Sequence, residues 1–466
     1  MSLTGRRVQA VLLAAGKGTR LKSPRAKVLH LAQGAPLLEH ALRAVAGADP
    51  VTIVVGHDAE TVETTFAGRA QFVRQEAPLG TGHAVMAARQ AFAERPERTL
   101  LVLNGDLPLL SAITVGALLD AHVASGAAAT LLSAELPDAG AYGRVLRDAR
   151  GDVRAVVEAK DASTEQRRVR EWNVGVYAFE VEPLLAALAR LTPQNVQGEY
   201  YLTDVVAHLV AASGRVAALR VADAREALGV NTLAELAVAS RLLVARRLEE
   251  LMADGVSIED PASTFVGLDV VVEAGAVLRP GTLLEGRTRV AAGATLGPFV
   301  RLVDTEVGPL ASILDHCLLR ECVVGAGASI GPFAHVRPES RVGAKAKVGN
   351  FVELKKTRLG DGAKAPHLSY LGDATIGAGA NVGAGTITCN YDGTSKHPTR
   401  IGDGAFIGSN STLVAPLTIG DGAYVGAGST LTEDVPQGAL ALGRARQVVK
   451  PGWAKKRSEP KANGSR

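Results

Sequence analysis

A glycine-rich loop near the start of the chain carries the first residues whose types and spacing could do chemistry. Gly16-Lys17-Gly18-Thr19-Arg20 follows the apolar run of residues 8–14, which is typical of a strand buried on both faces. Such a loop exposes backbone N–H groups and can bind an anion such as phosphate. The loop matches neither GxGxxG nor the GK[ST] ending of a Walker loop, so a plain strand–helix turn stays open as the alternative.

Asp106 is the second residue of this kind, because it follows another apolar run, residues 100–103. Helical patterns at residues 37–45 and 81–92 alternate with buried-strand patterns such as residues 53–55, which predicts an α/β domain with a mostly parallel sheet. Ligands bind at the carboxyl ends of such strands, where the glycine-rich loop and Asp106 are both expected. A role for Asp106 as a helix cap or turn residue stays open.

The stretch from about residue 266 to 434 repeats every six residues. Aliphatic side chains fall on three six-residue lattices, from Val266 to Leu302, Val324 to Leu354 and Ile401 to Leu431. A period of six fits a short strand followed by a tight corner, with three such units in each coil of a parallel β-helix of roughly ten coils. A small residue such as Ala405, two before Ile407, should face inward with it. The glycine that often follows the aliphatic serves a positive φ or a close backbone approach.

Two further segments stand apart from these patterns: one connects the two regions, and the other interrupts the hexads. Leucines at helical spacing predict one long helix over residues 232–253, which connects the two regions. The hexad lattice breaks between about Cys389 and Arg400, where the turn-rich segment Asn390 to Pro398 stands. Insertions in a solenoid usually lie on its binding face, so this segment is a candidate site.

The composition limits the classes of protein that this chain can belong to. Its 466 residues suggest two or three domains, and the net charge is +4. Six basic residues and one acid from Lys450 to Arg466 give +5, which leaves about −1 elsewhere and argues against nucleic-acid binding. That tail is expected to be disordered. Three cysteines without a CxxC pair fit a reducing cytoplasm, and no apolar run reaches a membrane-spanning length.

Further motifs make the comparison with known families specific. The N-terminal region resembles the sugar-nucleotide pyrophosphorylases through residues 13–21, Lys27, Gln75 with Pro78 to Ala84, Gly105-Asp106, Tyr142 to Arg144, Glu158 to Asp161, Asn173 to Gly175 and Gly229 to Asn231. The hexads resemble the left-handed parallel β-helix of hexapeptide-repeat acyltransferases. Together, over about residues 8–446, they resemble the bacterial family of bifunctional N-acetylglucosamine-1-phosphate uridylyltransferases / glucosamine-1-phosphate acetyltransferases.

This resemblance implies a fold and a division of the chain. The fold is an α/β Rossmann-like nucleotidyltransferase domain, then a long linker helix, then a left-handed parallel β-helix. The expected boundaries are residues 1–231 for the pyrophosphorylase (uridylyltransferase) domain, 232–257 for the linker helix, 258–446 for the acetyltransferase domain and 447–466 for the basic tail.

The resemblance also implies the residues of a uridylyl-transfer site. Arg20 and Lys27 would counter phosphate charge in catalysis, although a solvated surface charge is the usual fate of either residue type. Mg²⁺ would be held by Asp106 and Asn231, a sparse oxygen set that suits this ion; capping a helix is the alternative for Asn231. The residues matched to UTP are Leu13, Gly16, Lys27, Gln75, Gly80 and Thr81. Those matched to the sugar phosphate are Gly143, Glu158, Asn173 and Asn231.

A second site is implied on the β-helix. His367 matches the general base that deprotonates the amine, since the unperturbed pKa of histidine lies near neutrality; a surface histidine is the alternative. The residues matched to the sugar phosphate here are Arg337, Lys355, Tyr370, Asn381 and Lys396. Those matched to acetyl-coenzyme A are Ala384, Asn390, Tyr391, Ser409, Ala427 and Arg444.

The activities expected from the resemblance are acetyl transfer from acetyl-coenzyme A to glucosamine-1-phosphate, then uridylyl transfer from UTP, in a cytoplasmic homotrimer. Two departures from the family pattern stand out: Pro24-Arg25-Ala26 before Lys27, and Asn104 where the family often has tyrosine. Two other hypotheses remain. One is an enzyme of a single activity whose β-helix only oligomerises; the other is a structural or ligand-sensing repeat protein.

Overall fold

The computed structural model describes residues 7–135 and 140–454, and the chain divides into two compact units, one ending at Arg247 and the next beginning at Leu248. An α/β unit is followed by a parallel β-helix, which confirms the predicted fold class. The predicted disordered tail lies outside the described residues from position 455 onward. Within the described ranges, no helix is both long and apolar enough to cross a membrane.

The first unit is built on one mixed sheet with strand order β11-β7-β10-β6-β1-β4-β5. Its neighbours are parallel except at β10, which runs antiparallel to β6 and β7 and also pairs with β8. The strands of this unit are β1 (Val8–Ala14), β2 (Leu31–Ala32), β3 (Ala35–Pro36), β4 (Val51–Val55), β5 (Gln71–Arg74), β6 (Thr99–Asn104), β7 (Ala129–Glu135), β8 (Arg144–Arg147), β9 (Val153–Val157), β10 (Glu171–Phe179) and β11 (Val216–Arg220).

Helices cover both faces of this sheet. They are α1 (Leu37–Ala44), α2 (Ala59–Thr65), α3 (Thr81–Ala87), α4 (Arg89–Ala93), α5 (Ala112–Ser125), α6 (Val181–Leu188) and α7 (Asp204–Ala211). The last helix, α8 (Leu233–Ala253), packs its Ala239 and Leu243 against Ala32, Leu37 and Leu109. The prediction of a single helix over residues 81–92 was wrong, because the Ala91 N–H turns to the Ala88 carbonyl and breaks the ladder between α3 and α4. The long helix predicted from residue 232 is α8, within which the division between the two units falls.

Strand β1 shows why the sheet needs helices on both sides. Val8, Ala10 and Leu12 pack into the hydrophobic core on one face, whereas Val11 packs into the core on the other. Alternation of side chains along a strand therefore buries the whole apolar run, as predicted. The carboxyl ends of β1, β6 and β5 meet at one edge of the sheet, where the glycine-rich loop, Asp106 and Gln75 follow them.

In the part of the second unit that the structure describes, three parallel sheets form the faces of the β-helix. The first face contains Ser257–Ile258, Val277–Leu278, Thr295–Leu296, Ser312–Ile313, Ser329–Ile330, Lys347–Asn350, Lys364–His367, Asn381–Val382, Phe406–Ile407, Tyr424–Val425 and Leu440–Ala441. The second contains Phe265–Val266, Leu283–Glu285, Arg301–Val303, Leu318–Arg320, His335–Val336, Glu353–Lys355, Tyr370–Gly372, Ile387–Cys389, Thr412–Val414 and Thr430–Leu431. The third contains Val271–Val272, Arg289–Val290, Glu306–Val307, Val323–Val324, Arg341–Val342, Arg358–Leu359, Ala374–Ile376, Thr399–Ile401 and Leu417–Ile419.

Short corners explain why the aliphatic lattice changes phase. Between the second and third faces the inward aliphatic residues are only five apart in four coils, as from Leu302 to Val307. Each of these corners turns at a non-glycine residue with φ between 45° and 48°: Asp304, Glu321, Lys356 and Asp373. The same corner accommodates the turn-rich segment that follows Cys389.

The glycines that follow the aliphatic residues serve close packing between coils. At Gly408 a Cβ would collide with the backbone of Ala427 on the next coil, and at Gly402 with Asp421. Positive φ falls two residues later, at Gly404 and Gly422. Of the two predicted reasons for these glycines, close backbone approach is therefore the one that applies.

Candidate functional site

The glycine-rich loop is shaped around the side chain of Lys27. Gly18 has φ 60°, and a Cβ there would lie 2.8 Å from Lys27 Cβ, so both its conformation and its contact favour glycine. Thr19–Leu21 then forms a short 3₁₀ helix, and Lys27–Leu29 forms another. The departure at residues 24–26 does not prevent Lys27 from reaching the carboxyl edge of the sheet.

Four predicted residues meet in one polar cluster at this edge. Lys27 Nζ forms an ion pair with Asp106 and donates to Asn231 Oδ1 at 2.7 Å. Arg20 Nη2 donates to the same Asn231 oxygen at 2.8 Å. Asp106 and Asn231 therefore present oxygens to one cationic group, and two oxygens so placed can share a metal ion. Among the described residues no group of three or more His, Cys, Asp or Glu could hold a metal.

The helix-capping alternatives for Asp106 and Asn231 do not apply. Helix α5 starts after Ser111, whose hydroxyl accepts from the Thr114 N–H. Helix α8 starts after Thr232, which exchanges hydrogen bonds with Glu235 in a capping box. Both predicted metal ligands thus keep their side-chain oxygens for the cluster.

A cavity of about 350 Å³ extends from the glycine-rich loop along the carboxyl ends of the strands. Every residue predicted for UTP lines it: Leu13, Gly16, Lys27, Gln75, Gly80 and Thr81. Gly80 has φ 103°, and a Cβ there would meet the Tyr200 carbonyl. A side chain at this position would therefore be excluded by both conformation and space.

A second cavity, of about 420 Å³, adjoins the first, and Asn104 and Asp106 line both. The residues predicted for the sugar phosphate line this second cavity together with Arg20: Gly143, Glu158, Asn173 and Asn231. Asn104, noted in the sequence only as a departure, thus stands on the boundary. The two cavities meet where the phosphates of a nucleotide in the first cavity and of a sugar phosphate in the second would react.

Buried polar groups form the wall of the second cavity. The Thr203 hydroxyl donates to Glu158 Oε1 at 3.1 Å, and burial raises the pKa of Glu158. Asn173 Nδ2 donates to the Tyr177 hydroxyl at 2.8 Å, which fixes the amide. Thr203 was missed in the sequence because it lies 45 residues from its partner. Together these groups can accept and donate hydrogen bonds to sugar hydroxyls.

The residues predicted for acetyl transfer fall into two groups on the β-helix. Lys364 pairs with Asn381, Asn381 with Phe406, and Phe406 with Tyr424 across adjacent coils. Three residues further along each of these coils stand His367, Ala384, Ser409 and Ala427. These four therefore form one line along the corner between the first and second faces, and Arg444 lies beside Gly428 at its end.

His367 is exposed on this corner and its ring is oriented by a neighbour. His367 Nδ1 lies 2.6 Å from Asn350 Oδ1 on the preceding coil. An amide oxygen only accepts, so Nδ1 carries a hydrogen, and in the neutral ring the lone pair is then on Nε2. That is the protonation state a general base needs. Asn350 was not identified in the sequence, because its partner is 17 residues away.

The second group lies at the opposite edge of the second face. Arg337 donates to Glu353 at 2.8 Å and occupies the register position next to Lys355. The neighbouring Lys355 ammonium lowers the pKa of Lys396, so two cations face each other there. Such a pair suits an anion. Asn390 donates to Asp373, and the Tyr370 hydroxyl and the Asn390 amide both lie over Gly372.

The inserted segment holds its own shape. Asp392 accepts from the Thr394 and Ser395 N–H groups at 2.7 and 2.6 Å and from His397 Nε2 at 2.6 Å. Tyr391 remains 60% exposed, with its hydroxyl on the Gly393 carbonyl. The segment therefore presents an exposed aromatic side chain beside the two lysines.

Comparisons with known proteins agree with both units. A family model described as a MobA-like NTP transferase domain matches residues 10–197, and one described as bacterial transferase hexapeptide (six repeats) matches residues 398–433. The "Bifunctional protein GlmU" of Heliobacterium modesticaldum is 47% identical over 95% of this chain and 96% of that protein. The proteins of the same name from Pelotomaculum thermopropionicum and Anaeromyxobacter sp. (strain Fw109-5) are each 50% identical, over 97% and 98% of this chain and 99% and 94% of their own.

Proposed function

This chain belongs to the GlmU family of bifunctional proteins, and on that premise we propose that it makes UDP-N-acetylglucosamine at two separate sites. The chain is a transferase with two activities. It transfers acetyl from acetyl-coenzyme A to glucosamine-1-phosphate, and then uridylyl from UTP to N-acetylglucosamine-1-phosphate with release of pyrophosphate. The observation that supports uridylyl transfer most directly is the meeting of the two cavities at Asp106.

At the first site, the sugar phosphate oxygen attacks the α-phosphorus of UTP. Glu158 and Asn173 hold the sugar hydroxyls, which orients the phosphate toward the boundary of the cavities. Arg20 and Lys27 counter the charge that develops on the leaving pyrophosphate, together with the N–H groups of the glycine-rich loop. The chain thus contributes positioning and electrostatic stabilisation.

Mg²⁺ is the metal proposed for this site, with Asp106 and Asn231 as its protein ligands. The two oxygens already face a common cation, and hard oxygens are what this ion prefers. A bound ion would supply neutralising charge to the phosphates. With such an ion in place, Lys27 would be free to contact the nucleotide phosphates instead of Asp106.

At the second site, His367 acts as the general base. Its Nε2 takes a proton from the amine of glucosamine-1-phosphate, the nitrogen bonds to the thioester carbon, and the carbon–sulfur bond breaks with release of the coenzyme thiolate. Ser409 stabilises the oxyanion, while Ala384, Ala427 and Arg444 contact the acetyl-coenzyme A.

The sugar phosphate at this site binds to the second group of residues. Arg337, Lys355 and Lys396 bind its phosphate beside Tyr370, and Asn390 and Tyr391 lie between the sugar phosphate and the acetyl-coenzyme A. Asn381, also proposed to contact the sugar phosphate, lies instead on the first face, in register with Lys364 and Phe406. Charge-assisted hydrogen bonds to the phosphate account for these residue types. The lowered pKa of Lys396 beside Lys355 supports an anion at this position.

We propose that the working form is a homotrimer in the cytoplasm. His367 and the Lys355–Lys396 pair lie at opposite edges of one face, so a neighbouring subunit is needed to bring the two groups to one substrate. Four stacked rings along the corner that leads to His367 supply an apolar contact: Phe299, His316, Phe333 and Phe351, with ring centroids 5.3, 4.8 and 5.3 Å apart. Cys317, Cys322 and Cys389 are all free thiols, as expected in a reducing compartment.

Two variants test whether the two reactions are separate. Asp106→Ala should abolish uridylyl transfer and leave acetyl transfer at the wild-type rate, and His367→Ala should do the opposite. Products formed from glucosamine-1-phosphate, acetyl-coenzyme A, UTP and Mg²⁺ are separated by chromatography. An enzyme of a single activity would give no acetyl transfer even without substitution. Loss of both reactions from either change in a folded protein would contradict the proposal.

A further inference from the structure

Hydrogen bonds from both its backbone and its side chain determine the orientation of Gln75 in the nucleotide cavity. It follows strand β5 directly, and its N–H donates to the Val55 carbonyl at 2.8 Å. Only 8% of the residue is exposed, and the exposed part faces the cavity. Neither its backbone nor its side chain can move far without disturbing the edge of the sheet.

The nitrogen of the Gln75 side chain already has two partners. Nε2 lies 3.1 Å from the Gly80 carbonyl oxygen and 3.0 Å from His83 Nδ1. A carbonyl oxygen can only accept, so the amide nitrogen must face Gly80. Its second hydrogen then points at His83 Nδ1, which must be the acceptor. Both hydrogens of the amide are therefore used within the chain.

The oxygen of the same amide is left for the ligand. Among the residues that the structure describes, none donates a hydrogen bond to Gln75 Oε1, and the residue lines the cavity. An acceptor held at this point requires a donor on the edge of the base. Uracil carries a hydrogen on N3, whereas cytosine carries a lone pair there. Oε1 of the fixed amide therefore accepts a hydrogen bond from N3 of uracil, and it repels the lone pair on N3 of cytosine.

His83 favours this orientation of the Gln75 amide without contacting the ligand. It lies in the first turn of α3, and it is not among the residues that line the cavity. The helix is anchored at the neighbouring residue, where the Gly82 N–H donates to the Tyr200 carbonyl at 2.8 Å and a Cβ would meet the same carbonyl. The histidine ring is thus held at a fixed distance from the amide.

We propose that His83 is a positioning residue for base recognition: by accepting one amide hydrogen of Gln75, it fixes the orientation in which Oε1 reads the N3–H of uracil. The inference rests on the proposed uridylyl transfer. With His83 present, inverting the amide of Gln75 breaks two hydrogen bonds, to Gly80 and to His83. Without this acceptor the inversion breaks only the bond to Gly80, and Nε2 could then donate to the N3 lone pair of cytosine.

The test compares UTP with CTP in the unsubstituted protein and in four variants. His83→Leu and His83→Ala both remove the acceptor, and His83→Asn retains one, since the asparagine oxygen can occupy the place of Nδ1. His208→Leu is the matched control, because His208 is also a partly buried histidine on a helix, α7. The measurements are kcat/KM for each nucleotide with N-acetylglucosamine-1-phosphate, and the Kd of each nucleotide by calorimetry.

We expect the UTP-to-CTP ratio to fall about tenfold in His83→Leu and His83→Ala, mainly through KM for UTP, and to be restored in His83→Asn. The control should keep the wild-type ratio. An equal loss for both nucleotides, with an unchanged ratio in kinetics and in binding, would overturn the proposal and leave a purely structural histidine. Absence of uridylyl transfer from the unsubstituted protein would instead overturn the proposed function, while the ratio of dissociation constants would still decide the role of His83.

Discussion

The ammonium group of Lys27 contacts both Asp106 and Asn231 on the boundary between the nucleotide and sugar cavities. The chain thus supplies its own cation between the two oxygens proposed to bind Mg²⁺. A divalent ion bound as proposed would compete with Lys27 for the same two oxygens. Nucleotide phosphates can relieve the competition, because they offer the lysine another anionic partner.

Removal of this lysine should therefore strengthen metal binding while it weakens catalysis. In Lys27→Met we expect Mn²⁺ to bind roughly tenfold more tightly without nucleotide, equivalent to about 1.4 kcal/mol. Uridylyl transfer should fall about a hundredfold or more, since a phosphate-binding cation is lost. Electron paramagnetic resonance of free Mn²⁺ measures the first effect. The exposed Lys22→Met is the control, and unchanged Mn²⁺ affinity in Lys27→Met would contradict the competition.

The hydrogen bond between Asn350 and His367 leads to a prediction for acetyl transfer alone. Asn350→Ala removes the acceptor that keeps the hydrogen on Nδ1, so the free lone pair on Nε2 is no longer assured. We expect kcat for acetyl transfer to fall roughly tenfold to a hundredfold, within the usual contribution of a general base. Asn350→Asp keeps an accepting oxygen and should retain most of the activity.

Uridylyl transfer serves as the internal control in these two variants, because its residues lie in the other unit. Both reactions are followed in the same preparation by product chromatography. If Asn350→Asp were as slow as Asn350→Ala, the accepting oxygen would not be the property that matters.

Burial of Glu158 should make stability depend on pH. Its pKa in the folded protein is raised, so its contribution to stability is fully present below the ordinary carboxyl pKa and is lost as the pH rises through the raised value. Glu158→Gln cannot ionise, so it should gain stability over the wild type across that pH range and match it at lower pH. Urea unfolding of the two proteins at several pH values measures the difference.

Glu158→Gln should weaken the binding of the sugar phosphate although it stabilises the fold. The carboxylate can accept two sugar hydroxyls, whereas the amide of Glu158→Gln offers one accepting oxygen. We expect a rise in KM for N-acetylglucosamine-1-phosphate of about tenfold, with little change for UTP. A difference in unfolding free energy that does not vary with pH would show that the pKa of Glu158 is the same in the folded and unfolded states, and would contradict the raised value.

Features caused by residues close together in the sequence could be predicted, whereas features caused by contacts between distant residues could not. The glycine-rich loop and the hexads are local patterns, so the sequence predicts the strand of β1 and the corners of the coils. Asn350 reaches His367 only because one coil there takes 17 residues, and the lattice alone suggests eighteen. The five-residue corners that shorten the coil turn at residues such as Asp304, which carry no glycine signal.

The first site shows the same limit. Lys27, Gln75 and Asp106 follow strands or a glycine-rich motif, and each could be identified from that position. Thr203 lies in the segment before α7 and meets Glu158 only through the packing of that helix on β9. Single-residue patterns cannot indicate such a contact, because nothing near Thr203 in the sequence distinguishes its hydroxyl from others.

Tight stacking of coils predicts a strong effect of one methyl group on the β-helix. Gly408→Ala would place a Cβ against the Ala427 backbone, which cannot move without displacing a coil. We expect a loss of about 1–3 kcal/mol in the free energy of unfolding, as for other overpacked sites. Gly404→Asn is the control: its φ is 65°, no atom lies within 4 Å of a Cβ there, and asparagine tolerates this conformation. Equal loss in both variants, measured by urea unfolding, would argue against the steric explanation.

The ring stack of Phe299, His316, Phe333 and Phe351 makes the proposed trimer testable. Phe333 is 47% exposed although its ring stacks on His316 and Phe351. Phe333→Glu should be accepted by the fold, since its φ of 55° lies between those of Glu321 (45°) and Glu339 (64°). An unpaired charge buried in an interface costs about 2 kcal/mol or more, so the dissociation constant should rise at least about thirtyfold.

Sedimentation velocity at several concentrations measures this dissociation, and both activities are assayed on the same samples. Acetyl transfer should fall with the trimer fraction, because His367 and the Lys355–Lys396 pair would no longer meet at one substrate. Uridylyl transfer should stay at the wild-type rate, since its residues all lie in the first unit. Ile113→Glu, which replaces an exposed apolar residue on α5, is the control and should leave both assembly and acetyl transfer unchanged. A Phe333→Glu protein that stays trimeric would place the subunit contact elsewhere, and a fully active monomer would show that one chain completes the acetyl site.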